Sequence, residues 1–279
     1  MNELTSFGNL FKQMWVQKSR FIYLLFVINL FTIAFLSIFA WGTGNYDLTF
    51  FYTPTHNLGS FWRYNMATLT IYFDIAFCAV TCWQNEKINM SQTWHLAAAD
   101  EGKTYLANVF SSLIACGVFF LLQQVINILL LYSYYGTNMG PNCVAEAFSQ
   151  FGLSPLTPNV PRINVSFEFY WLFVVLVILF IYFFVSFANF VSRIVSNELP
   201  VKSTLWIRLL IMAILVIIAV YVWLIVLSHL QNLVDTNKVL QSYDPIWLDD
   251  LLLLIVDLVF GLCDILFVRK WVEPKIVNR

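Results

Sequence analysis

Residues 206–228 read WIRLLIMAILVIIAVYVWLIVLS, with a single charge, Arg208, near the start. Crossing the hydrocarbon core of a bilayer takes about 20 apolar residues in a helix. Inside that core every backbone N–H and C=O must be satisfied within the chain, so such a run folds as a helix. Five further stretches fit the same description: 21–41, 64–83, 104–133, 169–191 and 247–268. None alternates polar and apolar residues in the short segments of a membrane barrel. The whole chain agrees, since 60% of its 279 residues are hydrophobic and 11% are charged, against about 25% charged in soluble domains. The aromatic share of 18% suits membrane interfaces, where Trp and Tyr concentrate. The sequence reads as one all-α membrane domain spanning 1–279, with six transmembrane helices and no repeat, linker or soluble domain. A net charge of −1 gives no basis for a nucleic-acid partner.

Lys and Arg set the orientation. With the N-terminus inside, twelve fall on the cytoplasmic side, and only Arg63, Arg162 and Lys238 fall outside. Cytoplasmic loops carry the excess of positive charge, so both termini are expected in the cytoplasm of a multi-pass protein. The first span is too long for a signal-peptide core, and no small-residue cleavage site follows it. Ahead of it, residues 3–20 place Phe7, Leu10, Phe11, Met14 and Trp15 on one stripe, with Lys12, Gln13, Gln17 and Lys18 elsewhere. That pattern predicts an amphipathic helix lying in the inner membrane interface, in contact with lipid. Of the five cysteines, Cys78, Cys82, Cys116 and Cys263 lie in spans as small apolar residues, and Cys143 alone faces outward. No His or carboxylate joins them at ligand spacing, so no metal site is expected.

The water-facing stretch 84–103 reads QNEKINMSQTWHLAAADEGK. It is too short for a domain and has the size of a surface helix. Ile88, Trp94 and Leu96 stand among polar neighbours, as in a contact helix that seats in a partner's groove. A plain interfacial helix with Trp94 at the headgroups fits equally well. Residues 97–104, AAADEGKT, loosely match a phosphate loop with Ala in place of the first Gly. A phosphate loop needs a strand before it and backbone amides converging on the phosphates. Here the preceding residues are helical in character, and Asp100 and Glu101 would set negative charge against the phosphates. A helix ending near Ala99, a turn at 100–102 and the start of the third span is the better reading.

The run 86–122 resembles the central cytoplasmic segment of type-2 ABC exporter permeases. In that family a Glu closes the second span, a coupling helix follows, and after a turn the third span opens on a Lys-x-x-x-Ala-like start. Glu86, the segment 87–96, the turn 100–102 and Lys103-Thr104-Tyr105-Leu106-Ala107-Asn108 take those places here. Many members have Gly-Thr after the Glu and a Pro in the turn, and this chain has neither. The six spans, N-terminal helix and cytoplasmic termini match the layout. The resemblance implies a half-transporter in a bacterial plasma membrane that exports a substrate, dimerising with a second copy or a sister permease. It also implies that the chain binds a cytoplasmic ABC ATPase. ATP and Mg would be held by that ATPase, with no cofactor, metal or catalytic residue in this chain. Glu86, Ser91, Trp94, His95, Asp100 and Lys103 would form the contact with it.

Polar residues within the spans are the remaining signal. Asp74 lies near the middle of the second span. Asp250, Asp257 and Asp264 recur every seven residues along the sixth and share a face. A charged Asp at the bilayer centre costs roughly 2.5–3.5 kcal/mol, so these side chains should face protein or water, and Asp74 and Asp257 should be neutral or hydrogen-bonded. With Gln123, Asn127 and Asn189, the residues Asp74, Asp257 and Asp264 are candidates for a polar path. Interhelical hydrogen bonding, worth about 0.6 kcal/mol per pair, is the favoured reading of Asn29, Gln123, Gln124, Asn127 and Asn189. Two other functions remain open. One is a non-transporting immunity or scaffold protein that works by binding. The other is an intramembrane aspartyl enzyme, although the contexts of Asp74 and Asp264 miss the usual signatures of that chemistry.

Overall fold

The computed structural model describes residues 7–44, 58–91, 100–135, 167–198, 204–236 and 246–270. These residues form six helices: α1 (Phe7–Thr43), α2 (Leu58–Asn89), α3 (Glu101–Tyr135), α4 (Phe167–Glu198), α5 (Thr204–Thr236) and α6 (Ile246–Lys270). Five of them, all but α2, are long and apolar enough to cross a membrane. Asn65, Thr68, Thr70, Asp74 and Thr81 make α2 the least apolar of the six.

The separate interfacial helix expected at 3–20 does not appear as such. Residues 7–43 run as one unbroken helix of 37 residues. Gly8 and Gly42 lie at its ends and no Pro interrupts it, so nothing in between breaks the hydrogen-bond ladder. At 1.5 Å per residue α1 is roughly 55 Å long, well beyond the hydrocarbon thickness. Lys18, expected on the polar outer face, is fully buried and donates to Ser111 Oγ of α3 at 2.7 Å.

The chain divides into two compact units. One comprises Lys12–Thr81 and Ser111–Arg162. Its core joins Ile33 of α1 to Met66 and Leu69 of α2, with Ile126 and Leu130 of α3 packed against them. Phe77 stacks on Phe119 at 4.6 Å between centroids.

The other unit comprises Met1–Phe11, Cys82–Phe110 and Ile163–Arg279. Within it α4 packs on both α5 and α6. Phe180, Phe184 and Phe187 of α4 surround Phe260 of α6, their rings 4.9 to 6.0 Å away. Gly261 permits this approach, since a Cβ there would come within 3.3 Å of the Phe183 ring. The buried face of α6 is Asp250, Leu253, Asp257, Gly261, Asp264 and Val268, while Leu251, Leu254, Leu258, Leu262 and Leu266 are exposed. The three aspartates therefore do share the inward face that their seven-residue spacing implied. In contrast, nothing in the most apolar window of Trp206–Val226 is fully buried, although α5 packs on α4.

Gly261→Leu should overpack the α4–α6 contact and lower stability by about 1–3 kcal/mol. Thermal unfolding in mild detergent checks this. Gly261→Ala, which asks the Phe183 ring to give only a few tenths of an ångström, should fall much less.

Candidate functional site

The stretch joining α2 to α3 is anchored at both ends by polar contacts within one compact unit. At the α2 end, the polar residues continue the helix instead of opening a new one. The expected contact helix at 87–96 is thus corrected at its start: Lys87, Ile88 and Asn89 are the last turn of α2, and Ile88 is buried. The backbone N–H of Met90 donates to Glu86 O, and that of Ser91 to Ile88 O, which closes the helix. Partners waiting on other helices make this extension favourable. Asn108 of α3 donates its side-chain amide to Asn85 O at 3.1 Å and to Asn89 Oδ1 at 2.9 Å. Lys87 lies 5.6 Å from the ring centre of Trp83, on the exposed side of the helix.

Glu86 is the hub of this end. Its Oε1 accepts from Ser186 Oγ at 2.7 Å, and its Oε2 accepts from Asn189 Nδ2, both on α4. Ser186, Asn189 and Arg193 follow one another at helical spacing on α4, so all three meet α2 along one stripe. Arg193 donates to Met90 Sδ and supplies the positive charge nearest Glu86. A second buried pair lies beside it. Tyr105 of α3 donates its hydroxyl to Asp264 Oδ2 of α6 at 2.6 Å, both side chains being almost wholly buried. The Tyr105 ring also packs against Phe183 and Phe190 of α4. Glu86, Ser186, Tyr105 and Asp264 thus link α2, α4, α3 and α6.

At the other end, Asp100 caps α3. Its backbone oxygen accepts from Thr104 N at 3.0 Å, and its Oδ1 accepts from Gly102 N at 3.3 Å. Glu101 and Gly102, expected in a turn, are the first residues of the helix. Asp100 Oδ2 pairs with Arg269 of α6 at 2.7 Å, and the hydrogen bond from that guanidinium holds the carboxyl below its ordinary range. The helix amides that a phosphate loop would offer are met here by the chain's own carboxylate. Gly102 eases close packing, because a Cβ there would come within 3.1 Å of Arg269 and 3.2 Å of Ile265.

The sequence-derived site residues sort as follows. Glu86 and Asp100 anchor the two ends, Ser91 follows the last turn of α2, and Lys103 is exposed in the first turn of α3. Trp94 and His95 lie outside the described residues. Of the intramembrane candidates, Asn189 and Asp264 join the network around Glu86, whereas Asp74, Gln123 and Asn127 belong to the other unit. Asp257 is buried on the face of α6 with no hydrogen-bond partner for either oxygen among the described residues, and Asp250 is the same. Asp257 shares a unit with Asn189 and Asp264. Tyr105, Ser186, Asn108 and Arg269 were not singled out from the sequence. The spacing 186, 189, 193 on one stripe of a span was the signal available for Ser186.

No family model, curated protein or solved structure matches the chain.

Tyr105→Phe should cost about 1–3 kcal/mol, because it leaves buried Asp264 with neither oxygen paired. Adding Asp264→Leu should recover much of the loss, and a double-mutant cycle on unfolding midpoints checks it. The Asp100–Arg269 pair is exposed and should contribute under about 1 kcal/mol. The folded-state pKa of Asp100 is depressed, so its contribution is full above the ordinary Asp value near 3.8 and is lost as pH falls through the lower folded value. Asp100→Asn should therefore lower the midpoint at pH 7 and lose that effect in acid, as read from unfolding midpoints against pH.

Proposed function

We propose that the chain is the transmembrane subunit of an ABC exporter in a bacterial plasma membrane. In this reading it crosses the membrane six times with both termini cytoplasmic and pairs with a second permease. A separate cytoplasmic ATPase drives it and holds the ATP and Mg. The observation that carries the reading is the double anchorage of the segment between α2 and α3. Glu86 ties its start to Ser186 and Asn189 of α4, and Asp100 ties its end to Arg269 of α6. A push on residues 92–99 would reach α4 and α6 through directed polar contacts as well as through the backbone. That is the requirement for a coupling segment: displacement at the surface must move spans that a substrate meets. The resemblance of 86–122 to exporter permeases and the five apolar helices support the same reading. In this scheme the first turns of α1 rest on the inner membrane surface.

The test is co-purification of the tagged chain from its host in mild detergent, followed by mass spectrometry. A soluble ABC ATPase should come down with the chain, and Trp94→Ala with His95→Ala should weaken its recovery at least several-fold. Glu86→Gln, which loses the charge that faces Arg193, should retain the ATPase but reduce its stimulation. Absence of any ATPase from folded chain would overturn the exporter reading in favour of a scaffold that acts by binding.

A further inference from the structure

The end of α4 and the start of α5 bring two arginines to one serine. Ser196 Oγ donates to Arg193 O at 3.1 Å and accepts from Arg208 Nε at 3.1 Å. Arg193 lies three residues before Ser196, so the two side chains leave α4 as neighbours. Both guanidiniums are half-buried, and among the described residues neither forms an ion pair with a carboxylate. Glu86, the carboxyl nearest Arg193, already accepts from Ser186 and Asn189. Among the described residues Arg193 donates only to Met90 Sδ, a weak acceptor, and Arg208 only to Ser196. A guanidinium carries several N–H donors, so most of those on this pair are still without an acceptor.

The surroundings are apolar. Arg208, Ile211, Met212, Leu215 and Ala219 are half-buried and recur at helical spacing, so Arg208 heads the stripe by which α5 packs on α4. None of that stripe is fully buried, and its flanks, Leu209 and Val216, are exposed. The seam therefore stays open along an apolar length. Arg193 falls in the last turn of the apolar stretch Trp171–Ser196, and Arg208 in the first turn of Trp206–Val226. In a bilayer that is the level of the headgroups, where the exposed Trp206 also suits the interface.

We propose that Arg193 and Arg208 bind the phosphodiester of an anionic phospholipid, whose acyl chain lies along the α4–α5 seam. A guanidinium presents its N–H groups as a planar fork that matches phosphate oxygens. Ser196 holds Arg208 by Nε and leaves both Nη groups for that task. A zwitterionic lipid carries its own ammonium beside the phosphate, so two guanidiniums favour a headgroup of net negative charge. A soluble phosphate would meet the fork and leave the seam uncovered. The site asks only that the chain lie in a bilayer and does not rest on the exporter reading.

The test is native mass spectrometry of the full chain, freed of lipid in mild detergent and titrated with dioleoyl phosphatidylglycerol or dioleoyl phosphatidylcholine. The glycerol lipid should bind about fivefold more tightly or better, and Arg208→Gln should remove about fivefold of its affinity while leaving the choline lipid unchanged. Lys87→Gln, which deletes an exposed cation of α2, should change neither. Should Arg208→Gln fail to fold, Arg208→Lys, which keeps the charge and loses the fork, should weaken the glycerol lipid about twofold or more. Glycerol 3-phosphate in large excess should not compete. Equal binding of the two lipids would overturn the proposal. So would an arginine variant that binds the glycerol lipid like the native chain, or a loss no larger than that of Lys87→Gln. Full competition by glycerol 3-phosphate would also overturn it, marking a free-phosphate site in place of a lipid one.

Discussion

Glu86 is a carboxyl in the last turns of α2, and much of the surrounding arrangement follows from giving it partners. A charge removed from water needs hydrogen bonds and a countercharge, or the helices around it will not close. Ser186 and Asn189 supply the bonds, and Arg193 supplies the charge. Those three residues fix the rotation of α4 about its own axis. That rotation in turn directs the Phe180, Phe184 and Phe187 edges towards Phe260 of α6. Gly261 lets α6 approach, and Asp264 reaches Tyr105 on α3. Four helices are thus oriented by polar contacts at one end and by aromatic packing further along. Neither kind of contact is enough alone. In lipid there is little hydrophobic drive to bring helices together, so packing shape and directed bonds must do it.

The two kinds of buried polar group differ in consequence. Both carboxyl oxygens of Glu86 have partners on α4, and the result is a joint between α2 and α4. Among the described residues, the amides of Asn29, Gln123 and Gln124 have none, and neither do the carboxyls of Asp257 and Asp250. A satisfied network holds one arrangement against alternatives. An unsatisfied one leaves free energy to be gained by whatever ligand, water or helix movement supplies the missing bonds.

Much of this architecture was legible in the sequence, for a simple reason. Hydrocarbon imposes length and composition on a helix so strongly that 206–228 or 247–268 needs no further context. The seven-residue recurrence of Asp250, Asp257 and Asp264 likewise predicts a shared face, because helical period alone decides it. The boundaries were less legible. Residues 3–20 have an amphipathic pattern, and the break expected at residue 20 was inferred from the change in composition; no Pro or Gly enforces it. Lys18 shows what such patterns miss: its side chain is polar, but Ser111 lies 93 positions away and offers it a buried bond. The start of the contact helix was misplaced for the same reason. Asn85, Glu86 and Asn89 look like surface residues until Asn108, Ser186 and Asn189 are brought against them.

Candidate function divides along the same line. The carboxyls and amides could be found from the sequence, since polar residues in apolar runs stand out. Their grouping could not, because it depends on which helices are neighbours and in what register. Asn189 bonds to Glu86 and Asp264 to Tyr105, contacts that helical period alone does not reveal. The consequence is mechanistic. A residue that lines a path acts on what passes, whereas a residue bonded to Glu86 acts on the helix that Glu86 terminates. Asn189 and Asp264 therefore bear on how α2 and α3 are held to α4 and α6.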